Sequence, residues 1–165
     1  MLYSAQFDSP IGPLEVRASG KGLQRVLLPG RKCHYEGEFV NCNDDHPLLS
    51  QTIEELRQYF NGKREQFDIS LDLKGTEFQV KVWESLAMIE YGSTNTYGGQ
   101  AKRIGRPTAA RAVGAANAAN PIPIILPCHR VIGANGGLTG YGGGSSLLHI
   151  KQYLLELEEA DFKRI

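Results

Sequence analysis

The chain has 165 residues and 18.2 kDa, is 41% apolar and 22% charged, and sets 18 Lys+Arg against 18 Asp+Glu. Those values fit one globular unit or two small subdomains; they exclude a solenoid, a disordered chain and a collagen-like polymer. No apolar run approaches the ~20 residues that span a bilayer, and Ile122 to Leu126 is itself interrupted by Pro123. An odd cysteine count, with no basic-then-apolar leader after Met1, reads as reduced thiols in a cytoplasmic protein.

Residues 3–7, 14–18 and 23–28 read as short strands, separated by turn chemistry at Ser9-Pro10-Ile11-Gly12-Pro13 and at Gly20-Lys21-Gly22. Cys33, His34, Cys42 and His46 follow, and two Cys plus two His can close a tetrahedral zinc site. Adjacent Cys33 and His34 rarely share one ion, however, and the spacing of Cys33, Cys42 and His46 matches no common finger. A polar loop with incidental thiols is the better reading, and no metal is expected. Pro47 to Phe60 carries a helical stripe of Leu48, Leu49, Ile53, Leu56, Tyr59 and Phe60, stopped by Asn61-Gly62. Phe67 to Leu71 alternates like a further strand. The segment 1–74 is therefore a small α/β unit, an antiparallel sheet plus a helix, in which nothing looks catalytic.

Gly75 marks a boundary. Thr76-Glu77-Phe78-Gln79 is a capping box, and the helix it opens should bury Phe78, Val82, Trp83, Leu86 and Ile89. Thr96 can cap a short helix from Tyr97 to Ile104, stopped by Gly105; after Arg106-Pro107, Thr108 can cap another running to about Ala119. Two short helices joined by a tight turn have the spacing of a helix-turn-helix. The second contains almost nothing but small side chains, apart from Arg111, so it can approach a duplex closely but cannot read many base edges. From Tyr91 to Ile150 there is no Asp or Glu, while Lys102, Arg103, Arg106, Arg111 and Arg130 are present. Such a tract attracts phosphate although the whole chain is neutral.

Asn120-Pro121-Ile122-Pro123-Ile124-Ile125-Leu126-Pro127-Cys128-His129-Arg130-Val131-Ile132 is the most informative segment. Its prolines fix φ and remove donors, which predicts a rigid extended run presenting a thiol beside an imidazole. A cysteine becomes a strong nucleophile as its thiolate, and a neighbouring base and positive charge favour that form. A buried, inert cysteine is the plainer alternative for any single thiol.

Thr96-Tyr97-Gly98, Arg111-Ala112-Val113-Gly114, Asn120-Pro121, Pro127-Cys128-His129-Arg130-Val131-Ile132-Gly133 and Leu138-Thr139-Gly140-Tyr141 together resemble the O6-alkylguanine-DNA alkyltransferases, also called methylated-DNA–protein-cysteine methyltransferases. The resemblance covers nearly all of 75–165 and, more loosely, the first half through Asp8-Ser9-Pro10-Ile11-Gly12-Pro13-Leu14. It implies a ribonuclease-H-like N-terminal α/β domain over 1–74. A mainly α domain with a winged helix-turn-helix over 75–165 would bind DNA and accept the alkyl group. Cys128 matches the acceptor of an irreversible, single-turnover transfer from O6-alkylguanine, and from O4-alkylthymine, in duplex DNA. His129 matches the base that deprotonates the thiol through a water, Glu158 the carboxylate that orients the imidazole, and Asn120 the brace of the active-site turn. Tyr97 matches the phenol near guanine N3, which also crowds the 3′ phosphate.

A thiol cannot reach O6 inside a stacked duplex, so the base must flip out. Arg111 matches the side chain that fills the vacated stack. Gly98, Arg106 and Ala134 match DNA-contacting positions; Pro123, Val131, Tyr141 and Gly142 match the pocket for the flipped base. No cofactor is implied, and the expected partner is double-stranded DNA carrying alkylated guanine, bound by a monomer that can load cooperatively. The chain departs from the family in a lengthened Gly142–Ile150 loop, in Ala118 where Gly is common, and in Gln100 where an apolar residue is usual. A lesion binder without transfer, and a Cys-His-Glu hydrolase that turns over, are the competing functions.

Overall fold

The computed structural model describes residues 2–30, 39–42, 46–141 and 144–165. Two compact units divide the chain, Met1–Lys74 and Gly75–Ile165. In the first, β1 (Leu2–Ser9) and β2 (Gly12–Ala18) form a tight antiparallel hairpin with Tyr3 opposite Ala18 and Ser9 opposite Gly12. Gly12 turns the chain at a φ of 110°, a conformation that would strain any other residue. β3 (Leu23–Leu27) pairs antiparallel with β2, and β4 (Phe39–Asn41) pairs parallel with β1, giving the order β3-β2-β1-β4. The sheet is thus mixed, not purely antiparallel, because β4 lies in a stretch whose composition reads as loop.

Helix α1 (Pro47–Phe60) packs Leu49, Ile53, Leu56, Tyr59 and Phe60 into the same core as Leu14, Val16, Leu23 and Val26. Its N-cap is His46, whose Nδ1 accepts from the Leu49 N–H at 3.4 Å and whose ring lies 4.5 Å from that of Tyr3. The segment 67–71 is not a strand; Leu71 makes a single bridge with Leu23. The Ser70 carbonyl accepts from the Leu23 N–H, while α1 side chains take the groups of Asp68: its N–H donates to Glu55 and its carbonyl accepts from Gln51, all at 2.8 Å. Of the zinc candidates, Cys33 and His34 lie outside the described residues, and among the described residues no three metal-binding side chains cluster.

The second unit begins with α2 (Glu77–Leu86), opened by the capping box of Thr76 and Gln79. Val82, Trp83, Leu86 and Ile89 are buried as expected, whereas Phe78 is only half-buried near the helix start. After β5 (Asn95–Thr96), α3 (Tyr97–Arg103) is capped by Thr96 and followed by Gly105 at a φ of 77°. Helix α4 (Ala110–Ala118) starts later than expected. Thr108 does not cap it, because the Arg106 carbonyl already accepts from the Ala109 N–H and Ala109 takes the N-cap position without a side-chain bond. Small faces let α3 and α4 approach closely, with Ala101, Val113 and Ala116 buried among Trp83, Ile104 and Leu86.

The proline-rich segment is not extended. The Leu126 N–H returns to the Ile122 carbonyl at 2.9 Å, Ile124 takes a φ of 75°, and Cys128–Arg130 form one 3-10 turn. Proline fixes φ but leaves ψ free, and the side chain of Asn120 closes the loop. The next residues form β6 (Val131–Ile132), parallel to β5, and α5 (Leu148–Leu157) ends the domain with Glu158 as its C-cap.

Candidate functional site

Cys128 opens the 3-10 turn, 7% exposed, and shares a cavity of about 260 Å³ with Tyr97, Gly114, Asn117, Ala118, Thr139, Gly140, Tyr141 and Gly144. A buried thiol is ordinarily inert, so the surrounding charges decide its chemistry. His129 is fully buried, and its Nε2 lies 2.6 Å from Oε2 of Glu158. Arg130 grips the same carboxylate through Nε at 2.8 Å and a second guanidinium nitrogen at 3.2 Å, and donates to the Ile89 carbonyl at 2.6 Å. Consecutive residues of one tight turn thus direct the thiol to the cavity and two cations, or potential cations, to one carboxylate.

Burial pushes the Glu158 carboxyl up, but the His129 and Arg130 contacts outweigh it and hold the group well below the usual carboxylate range. Burial dominates at His129 and lowers its pKa despite Glu158. Glu158 is therefore an anion that only accepts, so Nε2 of a neutral His129 must be the donor. That leaves the lone pair on Nδ1, a buried nitrogen with no hydrogen-bond partner among the described residues, as the basic site.

Lys151, from α5, is buried and donates to the carbonyls of Val131 at 2.6 Å and Gly140 at 2.9 Å. Burial brings its pKa down to about 8 while Cys128 opposes that shift, so near neutral pH its positive charge favours the thiolate. Tyr97, at the start of α3, is pushed up by burial and stays a phenol; its oxygen accepts from Thr139 at 3.0 Å, leaving its own proton to give.

Asn120 spans the turn before Cys128: Nδ2 donates to the Leu126 carbonyl at 2.8 Å and Oδ1 accepts from the Ile122 N–H at 3.0 Å. Arg106 is exposed in the turn between α3 and α4, Arg111 is exposed on α4, and Ala134 is exposed after β6. Gly98 is half-buried on α3 with open space where a side chain would stand. Tyr141 lines the cavity, Pro123 and Val131 are buried but do not line it, and Gly142 lies outside the described residues. Sequence reasoning missed Arg130 as the second partner of Glu158, Lys151 as the buried cation, and Asn117 in the cavity wall. A lysine amid the apolar stripe Leu147, Ile150, Leu154 was the one available signal.

Residues 77–160 match the family model of the 6-O-methylguanine DNA methyltransferase, DNA binding domain, and residues 2–73 that of its ribonuclease-like domain. The chain belongs to the 6-O-methylguanine DNA methyltransferase family. It is 47% identical over 160 residues to the methylated-DNA–protein-cysteine methyltransferase of Mycobacterium tuberculosis H37Rv, covering 97% of this chain and 94% of that protein. The namesake protein of Methanosarcina acetivorans is also 47% identical, with 95% and 98% covered. The crystal structure of Mycobacterium tuberculosis OGT in complex with DNA superposes with a TM-score of 0.86 at 45% identity, over 95% of this chain and 92% of that one. Among the described residues no helix is long and apolar enough to cross a membrane.

Proposed function

We propose that this protein is a DNA-repair methyltransferase that moves the alkyl group of O6-alkylguanine onto its own Cys128. The observation that carries the acceptor assignment is the Cys128–His129–Arg130 turn, which sets a thiol in a cavity beside an imidazole whose far nitrogen is held by ionised Glu158. Nδ1 of His129 takes the thiol proton, directly or through a water, and Glu158 stabilises the imidazolium that forms. The sulfur attacks the alkyl carbon, the carbon–O6 bond breaks, and its electron pair stays on the base. Tyr97 gives the base a proton as that charge builds.

The thioether has no leaving group that water could displace, so the reaction stops at one turnover per chain. A hydrolase would need a donor pair around an oxyanion, and lesion binding alone would not need the His129–Glu158 pair. Cys128 is buried, so the base must leave the duplex to meet it, with Arg111 filling the gap and α3 and α4 facing the minor groove. O4-alkylthymine presents the same alkyl–oxygen bond and is a second substrate. Arg106, Gly98 and Ala134 lie on exposed or open positions suited to backbone contact. Work on chromosomal DNA places the protein in the cytoplasm, on the nucleoid in a bacterium.

Intact mass before and after incubation with excess O6-methylguanine duplex tests this reading. One added methyl group on the peptide holding Cys128, saturating at one per chain and absent from Cys128→Ser, is expected. An unchanged mass together with lesion-selective binding would show a damage sensor instead.

A further inference from the structure

Gln100 is 1% exposed on α3, where a charged or amide side chain has no obvious place. Its carboxamide faces that of Asn117 on α4 in a reciprocal pair: Asn117 Nδ2 donates to Gln100 Oε1 at 2.8 Å, and Gln100 Nε2 donates to Asn117 Oδ1 at 3.2 Å. Gln100 Nε2 also lies 3.3 Å from the Val82 carbonyl and 3.3 Å from Ser85 Oγ, both on α2. A carbonyl only accepts, so the nitrogen of Gln100 must face α2, and this in turn fixes which end of the Asn117 amide faces Gln100. In a reciprocal amide pair each group uses the N–H on the side of its own oxygen. The outer N–H of Gln100 is taken by α2. The outer N–H of Asn117 points away from Gln100, and Asn117 stands in the wall of the cavity that contains Cys128.

We infer that Asn117 is a hydrogen-bond donor to the departing base, and that Gln100, anchored on α2, is the positioning residue that aims it. This rests on the alkyl-transfer reading above. As the carbon–O6 bond breaks, negative charge spreads over the acceptors of the base, and a donor fixed beforehand stabilises that state more than the neutral substrate. The anchor matters because an Asn amide that could flip would turn its oxygen, a repulsive dipole, toward the same charge.

The test is single-turnover transfer from O6-methylguanine duplex by wild type, Gln100→Met, Asn117→Asp and the double variant, beside melting curves and affinity for undamaged duplex. Gln100→Met is expected to slow transfer about tenfold, Asn117→Asp at least as much, and the double variant no more than Asn117→Asp alone. Undamaged-duplex affinity should stay at the wild-type value. Single-variant rates within about twofold of wild type, losses that multiply in the double variant, or losses that follow DNA affinity would each overturn the inference. Should Gln100→Met fail to fold, Asn117→Asp decides by itself, since a wild-type rate there removes the donor role. If wild type transfers no methyl group at all, the functional reading fails before this one is reached.

Discussion

At the scale of single residues, the site turns on how one carboxylate is held. Glu158 is buried between His129 and Arg130, and its pKa lies below that of an ordinary glutamate, taken as 4.5. A group whose folded pKa is depressed adds stability that is complete above its unfolded pKa and fades as pH falls below it. Glu158→Gln also leaves Arg130 buried without its counter-charge, so it should cost roughly 3–5 kcal/mol near neutral pH. Denaturant unfolding across pH should show the gap between the two proteins shrinking once pH drops under about 4.5; a constant gap would mean that the carboxylate charge contributes nothing. The pKa of His129 is lowered as well, but by burial, which the contact with Glu158 opposes. Its pKa lies below 6.5, so the base stays neutral and the transfer rate should hold as pH is lowered through 6.5, failing only beneath it. A rate that halves at 6.5 or above would exclude His129 as the proton acceptor.

Among the elements, α4 is the one whose placement decides the cavity, and very little of it could anchor it by ordinary apolar packing. Its buried residues are Val113, Ala116 and Asn117. Two polar contacts compensate: Nε1 of Trp83 donates to the Ala116 carbonyl at 2.8 Å, and Asn117 pairs with Gln100. Buried hydrogen bonds are directional where alanine faces are not, so they fix the rotation of α4 about its own axis. Trp83→Phe keeps most of the apolar body but removes one of the donors to the Ala116 carbonyl, leaving the Ala119 N–H at 3.1 Å, and a loss of about 0.5–1.5 kcal/mol in denaturant unfolding is expected. Wild-type stability would show that the Trp83 hydrogen bond contributes nothing to holding the helix. The α2 and α3 starts were legible because Thr76, Gln79 and Thr96 carry their own caps. The α4 start was not, since a backbone turn at Arg106–Ala109 competes with the Thr108 side chain and wins.

Across the whole molecule, a net charge of zero hides a sixty-residue tract with no acid, Tyr91 to Ile150. Lys102, Arg103, Arg106 and Arg111 all stand exposed on or between α3 and α4. Binding to undamaged duplex should therefore weaken steeply with salt, and Arg106→Gln should lower the slope of log affinity against log salt by about one unit. An unchanged slope would take Arg106 out of phosphate contact. Methyl uptake should fall little, because Arg106 is remote in role from the Cys128 chemistry.

What the sequence by itself determined was everything encoded by neighbours along the chain. The two-residue hairpin, the capped helices, the acid-free tract and the thiol beside an imidazole are all set by local dihedral preference, local hydrogen bonding or simple adjacency. Tertiary structure alone decided the rest. It made the sheet mixed by adding β4 parallel to β1, and it turned the proline-rich run into a closed loop through Asn120. It also brought Arg130 and Lys151 to bear on the site and paired Gln100 with Asn117. Those contacts join residues with no fixed spacing in the chain. A buried polar group will take whichever partner the folded backbone offers, and no local pattern records which one that is.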